Sequence, residues 1–431
     1  MKSFPNLKTS RRFETGIRSA RFSIAPIVCA ALLCTGLLFG SFGGTGINPA
    51  SAGNNVAAMQ DATEPPEIID VAEDPFEGMT EAQLAKMFDQ AIAELRVAVK
   101  EAKHAEAIHF HVDSQTALEY RALWEDAAAR GQIAYKKVID VALAYFVAAE
   151  KPSNDLNSII LETYPQLYAE GKLEVCSVLT KKLKLQFPDN EALKTEVARV
   201  SVMTNDFEPG VDFLKTSVST VRTFPQLEQN VFFDSPVLLT NWEEELKIRE
   251  AEAAADDLPR VELKTSKGTV IIELFENEAP ETVGNFINLV EAGFYDDIIF
   301  HRSIKNFLAH AGRMTFNRLQ PVGYTIYDEH KKPNARHHFR GSVSMVTNPE
   351  KENSGSSEFY LVRSPFSTLD KFHTVFGRVI SDMRVVDAFQ LTRTMDDDGK
   401  EEGIKDVTPD MIISARVLRK RDHDYEPNRV K

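Results

Sequence analysis

The spacing of hydrophobic positions changes along this chain, and the change divides it. From Thr80 onward, Leu84, Met87, Phe88, Ala91, Leu95 and Ala98 recur at steps of three and four, the period of one helix face. Thr80-Glu81-Ala82-Gln83 has the form of a capping box, so an amphipathic helix is predicted to begin there. Beyond Leu258 the step shortens to two: Val261 and Leu263 alternate with polar neighbours, Lys267-Gly268 supplies a turn, and Val270, Ile272 and Leu274 resume the alternation. That pattern predicts a hairpin. Pro280 then opens a helix that Gly293 can close, with Val283, Phe286, Leu289 and Val290 on its inner face. The short strands that follow are expected to close into a barrel, which removes exposed edges.

The chain therefore reads as a multidomain α and β protein. An all-α region over 79–255 precedes a closed antiparallel β-barrel with flanking helices over 258–420, and a charged tail covers 421–431. Within the helical region, Gly171-Lys172-Leu173-Glu174-Val175-Cys176 is echoed at a period of 34 by Asn205-Asp206-Phe207-Glu208-Pro209-Gly210, and Leu179 recurs as Phe213. The period, the small residues at Cys176 and Gly210 and the closing Pro188 resemble tetratricopeptide helix pairs, with an irregular bundle packed on the barrel as the alternative. Such a region offers a platform for a protein partner.

The 431 residues leave room for two domains and a targeting segment at roughly 100–200 residues per domain. Lys2, Lys8, Arg11, Arg12, Arg18 and Arg21 precede an uncharged stretch over 22–42, and Ala50-Ser51-Ala52 has the small-residue form of a cleavage site. Residues 1–52 are read as an export signal or, if retained, a membrane anchor, since about 20 apolar residues suffice to span a bilayer. Either places the bulk of the protein outside the cytoplasm, periplasmic or extracellular if the signal is cut. Residues 53–78 are an acidic linker with Pro65-Pro66 and no hydrophobic period. Beyond residue 52 the chain keeps 44 basic and 63 acidic residues, a net of −19, which repels phosphate backbones and excludes nucleic acid as a partner. Cys29 and Cys34 lie in the export segment, so a cleaved chain keeps Cys176 alone and forms no internal disulfide.

Arg302 stands in Phe300-His301-Arg302-Ser303-Ile304-Lys305-Asn306-Phe307-Leu308-Ala309-His310. Arginine stays protonated near neutral pH and cannot act as a base, but its rigid fork of donors can hold a hydrogen bond to a developing lone pair. Around it, in order, lie Thr265-Ser266-Lys267-Gly268, Ala279-Pro280-Glu281-Thr282-Val283-Gly284-Asn285-Phe286, Gly341-Ser342-Val343-Ser344-Met345, Gly355-Ser356-Ser357-Glu358-Phe359-Tyr360-Leu361 and the run from Leu369 to Val379. Together these blocks resemble the cyclophilins, a family of peptidyl-prolyl cis-trans isomerases.

The resemblance implies a barrel fold, proline-containing polypeptides as substrates, and neither cofactor nor metal. It gives Arg302 the role of donor to the prolyl nitrogen. Phe307, Leu308, Tyr360 and Leu369 match the hydrophobic proline pocket, and His373 matches its rim. Several positions depart from the family: His310 and Glu358 stand where glutamines are usual, Val346 and Thr347 replace an alanine and an asparagine that contact substrate, and Thr368 replaces a tryptophan used in binding cyclosporin. Glu358 can draw Arg302 into an ion pair or bind a substrate N–H, and His310 can brace Arg302. Two functions stay open, an isomerase assisting the folding of exported proteins and a non-catalytic module that grips proline-containing segments. His104, His109 and His111 lack the Cys or carboxylate set that would complete a metal site.

Overall fold

The computed structural model describes residues 75–109, 117–316, 319, 322–396 and 400–430. The export segment, most of the acidic linker and His111 lie outside them. Contacts divide the described chain into two compact units, the first of residues 80–162 and the second of 163–430 together with 75–79.

In the first unit, α1 (Glu81–His109) and α2 (Ala117–Ala148) run antiparallel, with Phe88 5.8 Å from Tyr145 and Glu94 paired to Lys137 at 2.6 Å. The cap at Thr80 is reciprocal: its N–H donates to Gln83 Oε1 at 2.8 Å, and the Gln83 N–H donates to Thr80 Oγ1 at 3.3 Å. Leu84, Phe88, Ala91, Leu95 and Ala98 are buried, as the period-3.6 pattern requires.

The second unit joins helices and sheet. After α3 (Asn154–Ala169) come α4 (Leu173–Gln186), α5 (Glu191–Met203), α6 (Glu208–Val221) and α7 (Gln226–Ala255). Cys176 and Gly210, the echoed small residues, are both buried, and a Cβ at Gly210 would collide with Val202. Pro209 sits in the first turn of α6, where its missing N–H costs no hydrogen bond. An aromatic seam fastens the long α7 and the start of α6 to the sheet, with Trp242 of α7 4.7 Å from Phe339 and Phe207, just before α6, 6.2 Å from it.

The strands are β1 (Arg260–Thr265), β2 (Gly268–Leu274), β3 (Ile298–Ile299), β4 (Arg302–Ile304), β5 (Leu308–Ala311), β6 (Ser342–Met345), β7 (Phe359–Val362), β8 (Val375–Val379), β9 (Arg393–Met395), β10 (Glu401–Gly403) and β11 (Met411–Arg419). They form one sheet in the order β10-β9-β4-β5-β7-β6-β8-β2-β1-β11-β3. Hairpin β1–β2 pairs as expected, and α8 (Pro280–Glu291) buries Val283, Phe286, Leu289 and Val290 against the inner face. Gly293 adopts φ +66 just past the end of α8, a left-handed stop that glycine takes without strain.

The expected full closure of the barrel is corrected: the sheet curls but keeps edge strands β10 and β3. The reason is that, among the described residues, β3 pairs only with β11 and β10 only with β9. Phe300 and His301 carry the chain from edge strand β3 to β4.

Candidate active site

Hairpin β4–β5 builds the centre of the site. Asn306, at φ +53, turns the chain so that Arg302 lies opposite His310 and Ile304 opposite Leu308, and β5 sets His310 opposite Tyr360. Alternation along the strands sends Ala309, Ala311, Phe359 and Leu361 into the main core. Leu308 and Tyr360 turn to the other face. There, Ile304, Phe307, Leu308, Tyr360 and Val362 form a second apolar cluster, with Val346, Phe366, Leu369 and Met395 packed against it. The proline-pocket residues read from the sequence thus meet in one place. Leu227, from the start of α7, also packs there. His373 closes the rim: its ring stands edge-on to Tyr360 at 5.6 Å, and its Nδ1 is 2.9 Å from Thr347 Oγ1.

The Arg302 guanidinium carbon lies 5.7 Å from the centre of the Phe307 ring. Its Nε donates to Glu401 Oε2 at 2.9 Å, and its Nη2 donates to Glu401 Oε1. Arg302 and Glu401 are 28% and 23% exposed, so the pair is partly solvated. The hydrogen bond from Arg302 holds the Glu401 carboxyl below its ordinary value, against the opposing pull of burial. The anion on Arg302 is therefore Glu401 and not Glu358. Glu358 instead meets His310 Nε2 at 2.8 Å and Arg313 Nη1 at 3.2 Å, while His301 Nε2 lies 4.0 Å away. Burial raises the Glu358 carboxyl, but His310 and Arg313 outweigh it and keep it ionised. His310 stands across the ladder from Arg302 but faces Glu358, so the expected brace from His310 is corrected: the side chain paired with Arg302 is that of Glu401.

Behind the pocket, the Tyr360 hydroxyl is satisfied inward. His338 Nε2 lies 2.9 Å from Tyr360 Oη and 3.0 Å from Ser344 Oγ, while its Nδ1 is 2.5 Å from Asp370. Burial pushes the Asp370 carboxyl up, yet hydrogen bonds from His337 and His338 outweigh it and hold the group at about 2. Asp370, His338 and Ser344 follow one another like a hydrolytic triad, but Ser344 is fully buried and donates to the Thr374 carbonyl at 3.0 Å. The network ties strands together and presents no nucleophile.

Burial pushes the His373 imidazole down to about 4, with His338 and His330 adding to the effect. The unfolded chain takes up this proton near pH ~6.5, well before the folded chain does. The unfolded state therefore binds more protons across this window, and stability must fall as pH drops from about 6.5 towards 4. We expect His373→Asn to flatten part of that fall in urea denaturation followed from pH 7 to 5. An unchanged acid slope would contradict the assignment.

Residues 260–415 match the family described as cyclophilin type peptidyl-prolyl cis-trans isomerase/CLD. Peptidyl-prolyl cis-trans isomerase-like 1 of Aspergillus niger is 35% identical over 162 residues, which is 37% of this chain and 94% of that protein. Peptidyl-prolyl cis-trans isomerase ppi1 of Schizosaccharomyces pombe is 36% identical over 165 residues, 37% of this chain and 100% of that protein. A Cryptosporidium parvum cyclophilin type peptidyl-prolyl cis-trans isomerase, crystallised in the presence of the dipeptide Ala-Pro, is similar at 25% identity and a TM-score of 0.32, over 37% of this chain and 99% of that one.

Proposed function

This chain belongs to the cyclophilin-type peptidyl-prolyl cis-trans isomerases, and from that premise we propose that Arg302 drives the isomerisation of proline-containing polypeptides at the Phe307 face. The chemical problem is rotation about a bond with partial double-bond character, whose barrier is ~18–20 kcal/mol. As the prolyl C–N bond twists, resonance is lost and the nitrogen recovers a lone pair. A donor beside that nitrogen binds the twisted state more strongly than either planar state, which is how a site lowers a barrier. Glu401 takes Nε and Nη2 of Arg302, leaving the Nη1 hydrogens to be offered to the substrate. The observation that carries this reading is the placement of the guanidinium beside the Phe307 ring, at the edge of an apolar cluster suited to a proline ring.

The same Glu401 pair favours the second reading, a module that grips proline segments without turning them over, because a carboxylate neutralises the charge that the twisted nitrogen needs. A protease-coupled isomerisation assay on the parent and on Glu401→Gln separates the two. A partly solvated pair is worth on the order of 1 kcal/mol, so we expect Glu401→Gln to raise kcat/KM roughly threefold to fivefold. A fall would mean that Glu401 positions Arg302, and a parent with no activity would favour the binding module.

The clients we infer are exported proteins, on the strength of the basic and apolar pattern over residues 1–52. Among the described residues no helix is long and apolar enough to cross a membrane, and 22–42 lies outside them. Protein made in cells is expected to begin near Gly53. Recovery of Met1 or Lys2 by N-terminal sequencing of membrane-bound protein would mark residues 22–42 as an anchor instead.

A further inference from the structure

We propose that His301, His310 and Glu358 form a binding site for one divalent cation of the zinc class, next to Arg302. Each ligand is placed by the fold: His301 in the link between β3 and β4, His310 in β5 across the ladder from Arg302, and Glu358 immediately before β7. One donor atom from each side chain lies within 4.8 Å of the other two. The imidazole centres are 4.4 Å apart, and the two Nε2 atoms reach to 2.8 and 4.0 Å from Glu358 Oε2. A tetrahedral ion with bonds of about 2.0–2.1 Å holds its donors roughly 3.3–3.4 Å apart, midway between those two values. Small side-chain rotations supply the difference.

A further observation points to a ligand. His310 Nε2 is buried and, at 2.8 Å from Glu358 Oε2, makes no aligned hydrogen bond to it. Buried polar atoms are nearly always satisfied, so this nitrogen, aimed at the point the three donors share, calls for an occupant. Two imidazoles with one carboxylate suit zinc, cobalt or nickel, whereas calcium and magnesium want oxygen donors. Three protein ligands leave a coordination position for water or a peptide carbonyl. Arg313, on Glu358 Oε1 at 3.2 Å, and Arg302 oppose the cation, but Arg313 is 49% exposed and free to swing into solvent. The expected affinity is accordingly modest, roughly micromolar. A bound ion would repel the guanidinium and occupy the ground that a substrate amide must cross, so it should inhibit isomerisation. That last consequence rests on the Arg302 reading, while the binding itself does not.

The test uses the full chain freed of metal by a chelator. Zn2+ is titrated by calorimetry, and Co2+ by visible absorption, which reports low-coordinate nitrogen and oxygen ligation directly. One ion per chain is expected, with His310→Gln and Glu358→Gln each weakening it at least tenfold and His104→Gln leaving it unchanged. The metal-free melting temperatures of the variants serve as the control for folding. No binding, or equal binding by folded variants, would overturn the site. With parent activity in hand, zinc inhibition that is lost in His310→Gln relative to its own metal-free rate supports the regulatory role, and zinc bound without effect on rate overturns that role alone. A chain without isomerase activity that still binds zinc through these residues keeps the site and removes the function proposed above.

Discussion

Replacing Arg336 with alanine is expected to destabilise the second unit by about 3–5 kcal/mol, the usual result of leaving buried charge unpaired. Arg336 is 2% exposed and lies between two nearly buried carboxylates. Its Nε and Nη2 donate to Glu245 at 2.8 and 2.7 Å, its Nη1 donates to Glu252 at 2.5 Å, and its guanidinium carbon is 3.8 Å from the centre of the Phe275 ring. Burial pushes the Glu245 carboxyl up, and Arg336 together with Arg249 brings it back below its ordinary value. Without Arg336, Glu245 keeps Arg249 at 2.7 Å and Glu252 keeps Arg378 at 2.8 Å, so the lower half of that range is the better expectation. Because Glu245 and Glu252 both belong to α7, the loss should also loosen the helix from the sheet. Urea denaturation measures the cost, and the fluorescence of Trp242, seated on Phe339, reports the loosening. A loss below about 1 kcal/mol would place this cluster with solvent-relieved surface pairs.

The Arg302→Ala protein should fold and lose nearly all activity. Removing one preorganised donor to a developing charge typically costs 10²–10³ in rate, roughly 3–4 kcal/mol. The fold should tolerate the change, because Glu401 is left partly solvated and such pairs contribute about 1 kcal/mol or less. Arg302→Lys should not rescue the rate. A lysine keeps the charge but lacks the planar fork that lets one nitrogen face Glu401 while another faces the substrate. Full activity in a folded Arg302→Ala protein would remove the arginine from the mechanism.

The pocket residues were legible because ordered blocks of the chain resemble the cyclophilins, and the strand register accounts for where they meet. Once β4, β5 and β7 are in register, Leu308 and Tyr360 must share a face, and Phe307, Val346 and Leu369 join them. The partner of Arg302 was hidden. Glu401 lies 99 residues away in β10, and β9–β10 brings it to Arg302 through long-range pairing that no local pattern encodes. Glu358, adjacent in the family's site, was the nearer candidate, but His310 and Arg313 take its charge. Leu227 was equally hidden, since helix periodicity marks a buried face without saying what covers it. The incomplete closure of the curl turns on which strands the short β3 and β10 pair with, and an alternating pattern marks a strand without naming its neighbours.

The Arg302 face is expected to turn prolyl bonds over rather than merely hold them. Two-dimensional exchange NMR on a short Ala-Pro peptide with a small fraction of the full chain observes that event directly. Uncatalysed exchange takes tens to hundreds of seconds and leaves the cis and trans resonances unconnected within the mixing time. The parent is expected to produce cross-peaks between the two isomers, and the Arg302→Ala protein to lose them. Peptide resonances that shift on binding the parent while the isomers stay unconnected would contradict the account and leave a binding module in its place.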